Sequence, residues 1–271
     1  MSTGSAAAPR LAAVDLDGTL LTDSGALPTE NADAIRAWIG SGRQLAILTS
    51  RSPTGVSTAM GEVAANCLVG CFNGALLYRR HPDGDGSGRY LLTMPRRLSE
   101  QSASVLWTVM TRRELPVLWY TASELFCNLL TTKARREIQL TGDSVTVTTS
   151  RPEQGAYKIL CLSDPESPGL TGIESAIPEN CSWTRSRSGN LEILDGAADK
   201  AMALHAICQH LNITQDQTLA IGDGDNDVSM LNYAGVSVTV SNGSRAALDA
   251  AQIVTQSNND NGVARALTMF L

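Results

Sequence analysis

Two aspartates, Asp15 and Asp17, follow a short apolar run that extends from Leu11 to Val14. In an extended strand, residues i and i+2 point to the same side, so both carboxylates would face one pocket at the carboxyl end of the strand, where open α/β sheets bind their ligands. Two carboxylates about 4 Å apart repel by about 4 kcal/mol at an effective dielectric constant of about 20. The pair therefore indicates a bound Mg²⁺, a raised pKa on one aspartate, or both.

Three further polar stretches end or follow predicted core strands. They are Thr49-Ser50, Lys200, and the segment Gly222-Asp223-Gly224-Asp225-Asn226-Asp227. Parallel neighbouring strands lie about 4.8 Å apart, so adjacent strands would bring the carboxylates, a hydroxyl and an ammonium group into one crevice. Such an excess of carboxylates requires a hard cation, and Mg²⁺ prefers a few protein oxygens together with substrate phosphate oxygens. Lys200 would then supply a point charge for a phosphate, and Thr49 with nearby backbone amides would supply donors.

Alternating strands and helices position these residues. The apolar patterns predict strands over 11–14, 44–48 and 67–71, separated by helices that begin near Thr29 and Pro53. The alternation returns near the C-terminus, where Asp199 could cap a helix. The later elements are predicted as helices over 199–211, 244–251 and 262–270, and strands over 218–221, 236–240 and 253–255. This order indicates a parallel sheet with right-handed crossovers.

The segment between these two parts has a different pattern. Short strand-like runs that form hairpins alternate there with a few helices, which is typical of an α+β unit. The predicted fold class is therefore α/β, with a doubly wound, Rossmann-like parallel-sheet core and an inserted α+β domain. We assign residues 1–77 and 195–271 to the core and residues 78–194 to the inserted domain.

The composition excludes some classes of function. The 271 residues carry a net charge of −6, and an acidic chain without a basic run is not expected to bind nucleic acid. No stretch approaches the ~20 apolar residues of a membrane span, and the N-terminal segment lacks an apolar core, so we predict a cytoplasmic protein without membrane contacts. The six cysteines are scattered without metal-binding spacing, which predicts free thiols. The expected assembly is a monomer or a weak homodimer.

The four polar stretches together resemble the four motifs of the haloacid dehalogenase superfamily of phosphotransferases. The motifs are Asp15-Leu16-Asp17-Gly18-Thr19-Leu20, Thr49, Lys200 and Gly222-Asp223-Gly224-Asp225-Asn226-Asp227. Three further stretches look like the Cof-type sugar-phosphate phosphatases of that superfamily: Asn73-Gly74-Ala75, Leu191-Glu192-Ile193 and Ser257-Asn258-Asn259-Asp260-Asn261-Gly262-Val263-Ala264. The insert corresponds in position and length to a C2-type cap.

The resemblance implies a role for each motif residue. Asp15 would be the nucleophile that forms an aspartyl-phosphate, and Asp17 would protonate the leaving alcohol and then activate water. The implied Mg²⁺ ligands are Asp15, the Asp17 carbonyl and Asp223, with Asp227 supporting the metal or Lys200. The implied phosphate-binding groups are Thr49, the Ser50 amide, Lys200 and Asn226.

One departure from the family pattern is visible. The family often has Thr-Gly-Arg where this chain has Thr49-Ser50-Arg51. A contact from the Ser50 backbone amide survives that change, because it does not depend on the side chain. Arg51 fits either a substrate contact or a surface ion pair.

The predicted activity is Mg²⁺-dependent hydrolysis of a small phosphorylated metabolite, with a sugar or polyol phosphate as the expected substrate. The insert would close over the substrate, exclude water and select the leaving group. Two alternatives stay open: a phosphomutase of the same fold, and a non-catalytic phosphosugar-binding regulator. The presence of both Asp15 and Asp17 argues against the regulator. A dinucleotide-binding oxidoreductase is not indicated, because no G-x-G-x-x-G follows the first strand.

Overall fold

The computed structural model describes residues 8–80, 89–163, 170–185 and 189–271. The chain divides into two compact units, each with its own sheet. The first unit contains the described residues of Met1–Ser50, Ala59–Met94 and Asp199–Leu271, and the second contains those of Arg51–Thr58 and Pro95–Ala198. None of the helices that the structure describes is both long and apolar enough to span a membrane.

The strands and helices follow in chain order. The strands are β1 (Leu11–Val14), β2 (Gln44–Leu48), β3 (Leu68–Cys71), β4 (Leu76–Arg80), β5 (Arg89–Leu91), β6 (Val117–Tyr120), β7 (Leu125–Cys127), β8 (Val145–Val147), β9 (Lys158–Cys161), β10 (Cys181–Arg185), β11 (Leu191–Asp195), β12 (Thr218–Gly222), β13 (Val236–Val240) and β14 (Ile253–Thr255). The α-helices are α1 (Thr29–Gly40), α2 (Pro53–Met60), α3 (Glu100–Arg112), α4 (Thr132–Thr141), α5 (Lys200–Leu211), α6 (Val228–Tyr233), α7 (Arg245–Ala250) and α8 (Gly262–Thr268).

The sheet of the first unit has the strand order β14-β13-β12-β1-β2-β3-β4-β5. The pairings from β14 to β3 are all parallel. Val14 at the end of β1 is in register with Ile221 of β12 on one side and Ile47 of β2 on the other. The carboxyl ends of these three central strands therefore lie at the same edge of the sheet. The predicted doubly wound α/β fold class is confirmed.

Two antiparallel strands extend this sheet beyond β3. β4 pairs with β3, and β5 pairs with β4, because a tight turn at Phe72–Gly74 reverses the chain within the sheet. Asn73 adopts a left-handed conformation there, with φ of 52°. The first unit continues to Met94. The assignment of 78–194 as an inserted domain stays a prediction.

Apolar residues on the strands and on the helices that cover them form the core of the first unit. All four residues of β1 are fully buried, as a parallel strand covered on both faces requires. One cluster joins the sheet to α5 and α6 and includes Leu11, Ala46, Leu204, Ile207, Ala220 and Met230. This packing holds the central strands in place, and with them the residues at their carboxyl ends.

The second unit contains a mostly antiparallel sheet with the order β10-β11-β9-β6-β7-β8. Side chains that alternate along its strands pack with α3 into an apolar cluster that includes Leu106, Met110, Trp119, Ile159 and Ile193. Trp107 contacts Trp119 edge to face, with ring centroids 5.9 Å apart. The intervening residues point to the other face, where Lys158 Nζ lies 2.8 Å from Glu192 Oε1 and 4.7 Å from the centroid of the Tyr120 ring.

Helix starts follow the capping residues in most cases. Asp199 Oδ1 accepts hydrogen bonds from the backbone N–H groups of Ala201 and Met202, as predicted for a cap of α5. Ser52 Oγ likewise accepts the Gly55 N–H at the start of α2. Helix α1 begins at Thr29, close to its predicted start, and the capping position before it is occupied by Pro28, whose side chain cannot accept a hydrogen bond. The six cysteines are free, as predicted, and all except Cys181 are buried.

Candidate active site

The central strands of the first unit end in polar residues that are almost inaccessible to solvent. Asp15 follows β1 and Asp223 follows β12, and each is 6% exposed. Thr49 follows β2 and is 1% exposed. The backbone N–H of Asp15 donates to the carbonyl of Ile221 at 3.0 Å, so the parallel pairing continues up to the first aspartate. Burial of ionisable groups at one end of a sheet is costly unless they are paired.

Lys200 supplies a positive charge to this site. It is the first residue of α5, and its side chain is fully buried. Its Nζ donates to Asp15 Oδ1 at 2.6 Å and to Asp227 Oδ1 at 2.5 Å. One ammonium group thus joins residues that lie 185 and 27 positions away in the chain.

The segment after β12 is held by the side chain of Asp227. The second oxygen of this carboxylate, Oδ2, accepts the backbone N–H groups of Asp223 at 2.9 Å and Gly224 at 2.8 Å. A Cβ atom on Gly222 would lie 2.5 Å from the Asp227 side chain, so the close approach requires glycine. Both Asp227 oxygens therefore accept hydrogen bonds from the protein, which fits the predicted supporting role behind the site.

Asp223 is oriented by the loop that follows β1. Thr19 Oγ1 donates to Asp223 Oδ1 at 2.7 Å. Gly18 has a φ of +81°, and a Cβ atom there would lie 2.5 Å from Asp223 Oδ2, so only glycine fits between the loop and this carboxylate. Sequence reasoning gave Thr19 no role of its own, although a hydroxyl next to the Asp-x-Asp-Gly motif is a signal that could have indicated it.

A second set of contacts links Thr49 with Asn226. The carbonyl of Thr49 accepts the backbone N–H of Asn73 at 2.8 Å, and Asn73 Oδ1 accepts a hydrogen bond from Asn226 Nδ2 at 3.2 Å. Two predicted phosphate-binding residues are thus connected through Asn73, to which sequence reasoning assigned no site role. The Asn73-Gly74 pair was a usable signal, because asparagine tolerates the left-handed conformation observed there.

Asp17 and Ser50 lie beside this buried set, with their side chains in different environments. Asp17 is exposed, whereas Asp15 is buried, and Ser50 is half-buried. β1 ends at Val14, so the alternation rule for strands does not apply to the two aspartates. The loop turns immediately after Asp15, because the Leu16 carbonyl accepts the N–H groups of Leu20 and Leu21.

The buried charges change the ionisation of Asp15 and Lys200. Burial raises the pKa of Asp15 well above its usual value, and the charge of Asp227 raises it further, whereas Lys200 lowers it. Burial by itself lowers the pKa of Lys200, but the Asp15 and Asp227 carboxylates more than offset this and raise the pKa overall. Lys200 is therefore a permanent cation at this site, and the charge of Asp15 depends on further positive charge nearby.

The donor set fits a hard divalent cation. Asp15, Asp223 and Asp227 each place a carboxylate oxygen within 4.8 Å of the others. When ionised, these three carboxylates carry three negative charges against one positive charge on Lys200. Oxygen ligands and excess negative charge are what Mg²⁺ sites in proteins provide. Both oxygens of Asp227 already accept hydrogen bonds from the protein, so we expect Asp15 and Asp223 to be the better metal ligands.

Comparisons with known proteins identify a matching family and similar chains. A family described as haloacid dehalogenase-like hydrolase matches residues 12–267. The Bacillus subtilis protein YxeH is 27% identical over 274 residues, which cover 95% of this chain and 97% of YxeH. The 5-amino-6-(5-phospho-D-ribitylamino)uracil phosphatase YitU of the same organism is 25% identical, with 97% of each chain covered. The structure of a haloacid dehalogenase-like hydrolase from Bacteroides thetaiotaomicron superimposes with a TM-score of 0.86 at 22% identity, covering 97% of this chain and all of that one.

Proposed function

Because this chain belongs to the haloacid dehalogenase-like hydrolases and is a phosphatase of that family, we propose that it hydrolyses a small phosphomonoester through an aspartyl-phosphate, with Mg²⁺ as cofactor. The observation that carries this proposal is the Lys200 ammonium group, which bonds the Asp15 and Asp227 carboxylates inside a buried site. Asp223, held by Thr19, adds a third carboxylate. This combination supplies a nucleophile, a fixed cation and metal ligands together.

The chemistry proceeds in two displacements at phosphorus. A carboxylate oxygen of Asp15 attacks the phosphorus atom, the bond to the alcohol oxygen breaks, and Asp17 gives its proton to that oxygen. Water then attacks the phosphorus of the aspartyl-phosphate, Asp17 takes a proton from the water, and the bond to the Asp15 oxygen breaks. The exposure of Asp17 suits a group that exchanges protons with the leaving alcohol and with water. Splitting the reaction at a covalent intermediate replaces one difficult step by two easier ones.

In this proposal, charge stabilisation comes from Lys200, Thr49, Ser50 and Asn226. Phosphoryl transfer depends mainly on positioning and electrostatic stabilisation of the equatorial oxygens. Lys200 supplies a buried positive charge, and Thr49, the Ser50 amide and Asn226 supply donors for the phosphate. Asp15, the Asp17 carbonyl and Asp223 would hold Mg²⁺, which when bound neutralises phosphate charge and keeps Asp15 ionised.

The substrate class is proposed from chemistry and from one relative. YitU is named for a substrate that carries a phosphate on a ribityl chain, which is a polyol. The chain as a whole is acidic, with a net charge of −6, so an anionic substrate needs the local cations at the site. A small sugar or polyol phosphate fits these conditions, with residues 78–194 as the cap that selects the alcohol.

A panel of phosphate esters tests the proposal. Purified protein is assayed for inorganic phosphate release from sugar and polyol phosphates and from p-nitrophenyl phosphate, with Mg²⁺ and with EDTA. We expect turnover that requires Mg²⁺ and a loss of at least about 10³-fold in Asp15→Asn, since the nucleophile is removed. Asp249→Asn, an exposed aspartate paired with Arg245 on α7, is the matched control and keeps full activity. An isomerised sugar phosphate without phosphate release would identify a mutase, and binding without turnover would identify a regulator.

A further inference from the structure

Four asparagines contact the loop that follows β1. They are Asn31, Asn242, Asn258 and Asn259, and we refer to them as the asparagine brace. Asn242 Nδ2 donates to the Gly18 carbonyl at 2.8 Å, and Asn31 Nδ2 donates to the Leu20 carbonyl at 2.9 Å. Three of the four lie more than 200 positions away from this loop in the chain. The loop is thus held by side chains from α1 and from the segments that follow β13 and β14.

Asn258 makes the most central of these contacts. Its Nδ2 donates to the Leu21 carbonyl and to Asp23 Oδ1, both at 3.0 Å. Asn259 completes the set, since its Oδ1 accepts the Asp23 backbone N–H at 3.1 Å and its Nδ2 donates to Asp23 Oδ2 at 2.9 Å. Together the brace satisfies carbonyl groups on the loop that the loop's own turn does not use.

The members of the brace are also tied to the rest of the first unit. The backbone N–H of Asn258 donates to Asn242 Oδ1 at 2.9 Å, which joins the two segments that carry these residues. Asn31 Oδ1 accepts the backbone N–H of Ala264 at 2.9 Å. The loop is therefore attached to a connected framework rather than to isolated side chains.

The two polar groups of the Asn258 side-chain amide differ in their hydrogen bonds. Asn258 is 1% exposed, and its Oδ1 has no hydrogen-bond partner in the part of the chain that the structure describes. Leaving a buried carbonyl oxygen unpaired costs about 1–3 kcal/mol. The stabilising contacts of the Asn258 side chain therefore come from its NH₂ group, which donates hydrogen bonds to the loop.

The loop carries two residues of the proposed mechanism. Asp17 precedes Gly18, whose carbonyl the brace holds, and Thr19 is bonded to the proposed metal ligand Asp223. Asp17 and Leu21 form an isolated β-bridge, so the Leu21 backbone that Asn258 contacts lies beside the Asp17 backbone and helps to set the direction of its side chain. We infer that Asn258 is a positioning residue for Asp17, a role that rests on the proposed phosphatase function.

A positioning role differs measurably from a purely structural one. If Asn258 orients the proton donor, its loss penalises esters whose leaving group needs a proton and spares those whose leaving group does not. Benzyl phosphate releases an alkoxide unless it is protonated, whereas p-nitrophenyl phosphate releases a stable phenolate. A general loss of folded protein lowers both rates by the same factor.

The experiment compares kcat/KM for these two esters in wild type, Asn258→Ala, Asn258→Asp and Asp17→Asn. For Asn258→Ala we expect a loss of about 100-fold with benzyl phosphate and less than about 3-fold with p-nitrophenyl phosphate. Asn258→Asp retains the size of the side chain but removes its donor, and should show the same selectivity. Ser257→Ala is the neighbouring control, because its hydroxyl contacts Asp260 rather than the loop, and should leave both rates unchanged.

Hydrogen exchange provides a readout that does not depend on activity. The amides of Thr19 to Asp23 should exchange faster in Asn258→Ala than in wild type, while amides of the central strands stay protected. Equal losses with the two esters, or an unchanged exchange pattern, overturn the inference. If wild type hydrolyses neither ester, or if Asp17→Asn lacks the leaving-group selectivity, it is the proposed function or the proposed role of Asp17 that fails.

Discussion

Two lysines are buried among the residues that the structure describes, one in each compact unit, and their surroundings differ. Lys200 lies at the start of a helix and bonds two carboxylates, with a third carboxylate within 4.8 Å of them. Lys158 lies within a strand and pairs with Glu192 on the neighbouring strand, next to the Tyr120 ring. Lys158 and Glu192 are 8% and 14% exposed at their side chains, so burial alone does not separate the two sites.

The two lysines differ in their positions relative to the strands. Side chains within neighbouring strands face each other along the sheet, so a cross-strand pair such as Lys158 and Glu192 can serve the sheet itself. Lys200 instead contacts Asp15 and Asp227, which lie beyond the ends of two separate strands, β1 and β12. The pairing of those strands does not require an ion pair at this position. Charged side chains that converge at strand ends with an excess of negative charge are typical of a catalytic site. A buried ion pair within a sheet is typical of a contact that stabilises the fold.

The largest expected effect comes from replacing the two lysines in parallel. Lys200→Met should lower kcat/KM by about 10³-fold, because it removes the fixed cation of the phosphate site. Lys158→Met should keep kcat/KM within about 3-fold of wild type, although both variants should lose about 3–5 kcal/mol of unfolding free energy, since each removes the buried cation that pairs with its neighbouring carboxylates. Steady-state kinetics and urea unfolding measure the two quantities. Equal loss of activity in both variants would contradict the assignment of a catalytic role to Lys200 and a purely stabilising role to Lys158.

The second effect concerns Asp15 and is visible in the absence of metal. The pKa of Asp15 is raised in the folded protein by burial and by Asp227, so its contribution to stability is present below the unfolded pKa and is lost as the pH rises through the folded pKa. Asp15→Asn replaces the carboxyl by a group that does not ionise, so the variant does not lose this stability as the pH rises. In EDTA, we expect Tm of the variant to exceed that of wild type by about 2–4 °C at neutral pH, which corresponds to about 1 kcal/mol, and the difference to vanish in acid.

Added Mg²⁺ provides the control for that measurement. The cation stabilises the ionised carboxylate, so wild-type Tm should rise with Mg²⁺ at neutral pH. Asp15→Asn should respond less, because one ligand has lost its charge. A variant that is less stable than wild type at every pH would contradict the assignment of Asp15 as a buried carboxyl with a raised pKa.

A smaller effect tests whether the pair in the second unit serves stability alone. The double variant Lys158→Met/Glu192→Leu replaces both charges by apolar side chains of similar size. Such replacements of buried ion pairs are often neutral or stabilising, so we expect unfolding free energy within about 1 kcal/mol of wild type and unchanged kcat. Urea unfolding compares it with Lys158→Met alone, and a double variant as unstable as the single one would show that other contacts dominate.

The smallest effect concerns an ion pair at the surface of the second unit. A hydrogen bond from Arg185 lowers the pKa of Glu174, so this pair contributes to stability above the unfolded pKa of the carboxyl, and the contribution is lost as the pH falls through the folded pKa. Glu174→Gln should lower Tm slightly at neutral pH and not at all in acid or high salt. If Glu174→Gln destabilised the protein as much as Lys158→Met does, the difference in burial between the Arg185–Glu174 and Lys158–Glu192 pairs would not explain their contributions to stability.

Local patterns account for much that was predicted correctly. Helix α5 begins after Asp199 as its capping chemistry indicated, and the central strands coincide with apolar runs bounded by polar residues. The sequence did not reveal which sheet the strands near the predicted boundary at residue 77 join, since a pattern of short strands does not specify their partners. The structure pairs β4 with β3, a consequence of the tight turn between them.

The sequence by itself predicted which residues would carry the chemistry, because few other functions need aspartate, threonine and lysine motifs of these types and spacings. The same motifs indicated the family, and the alternation of strands and helices indicated a parallel-sheet core. Only the tertiary structure decided that Lys200 bonds Asp15 and Asp227 together, and that Asn258 holds the loop beyond Asp15. These contacts join residues far apart in the chain, and no local pattern of side chains encodes a distance between them.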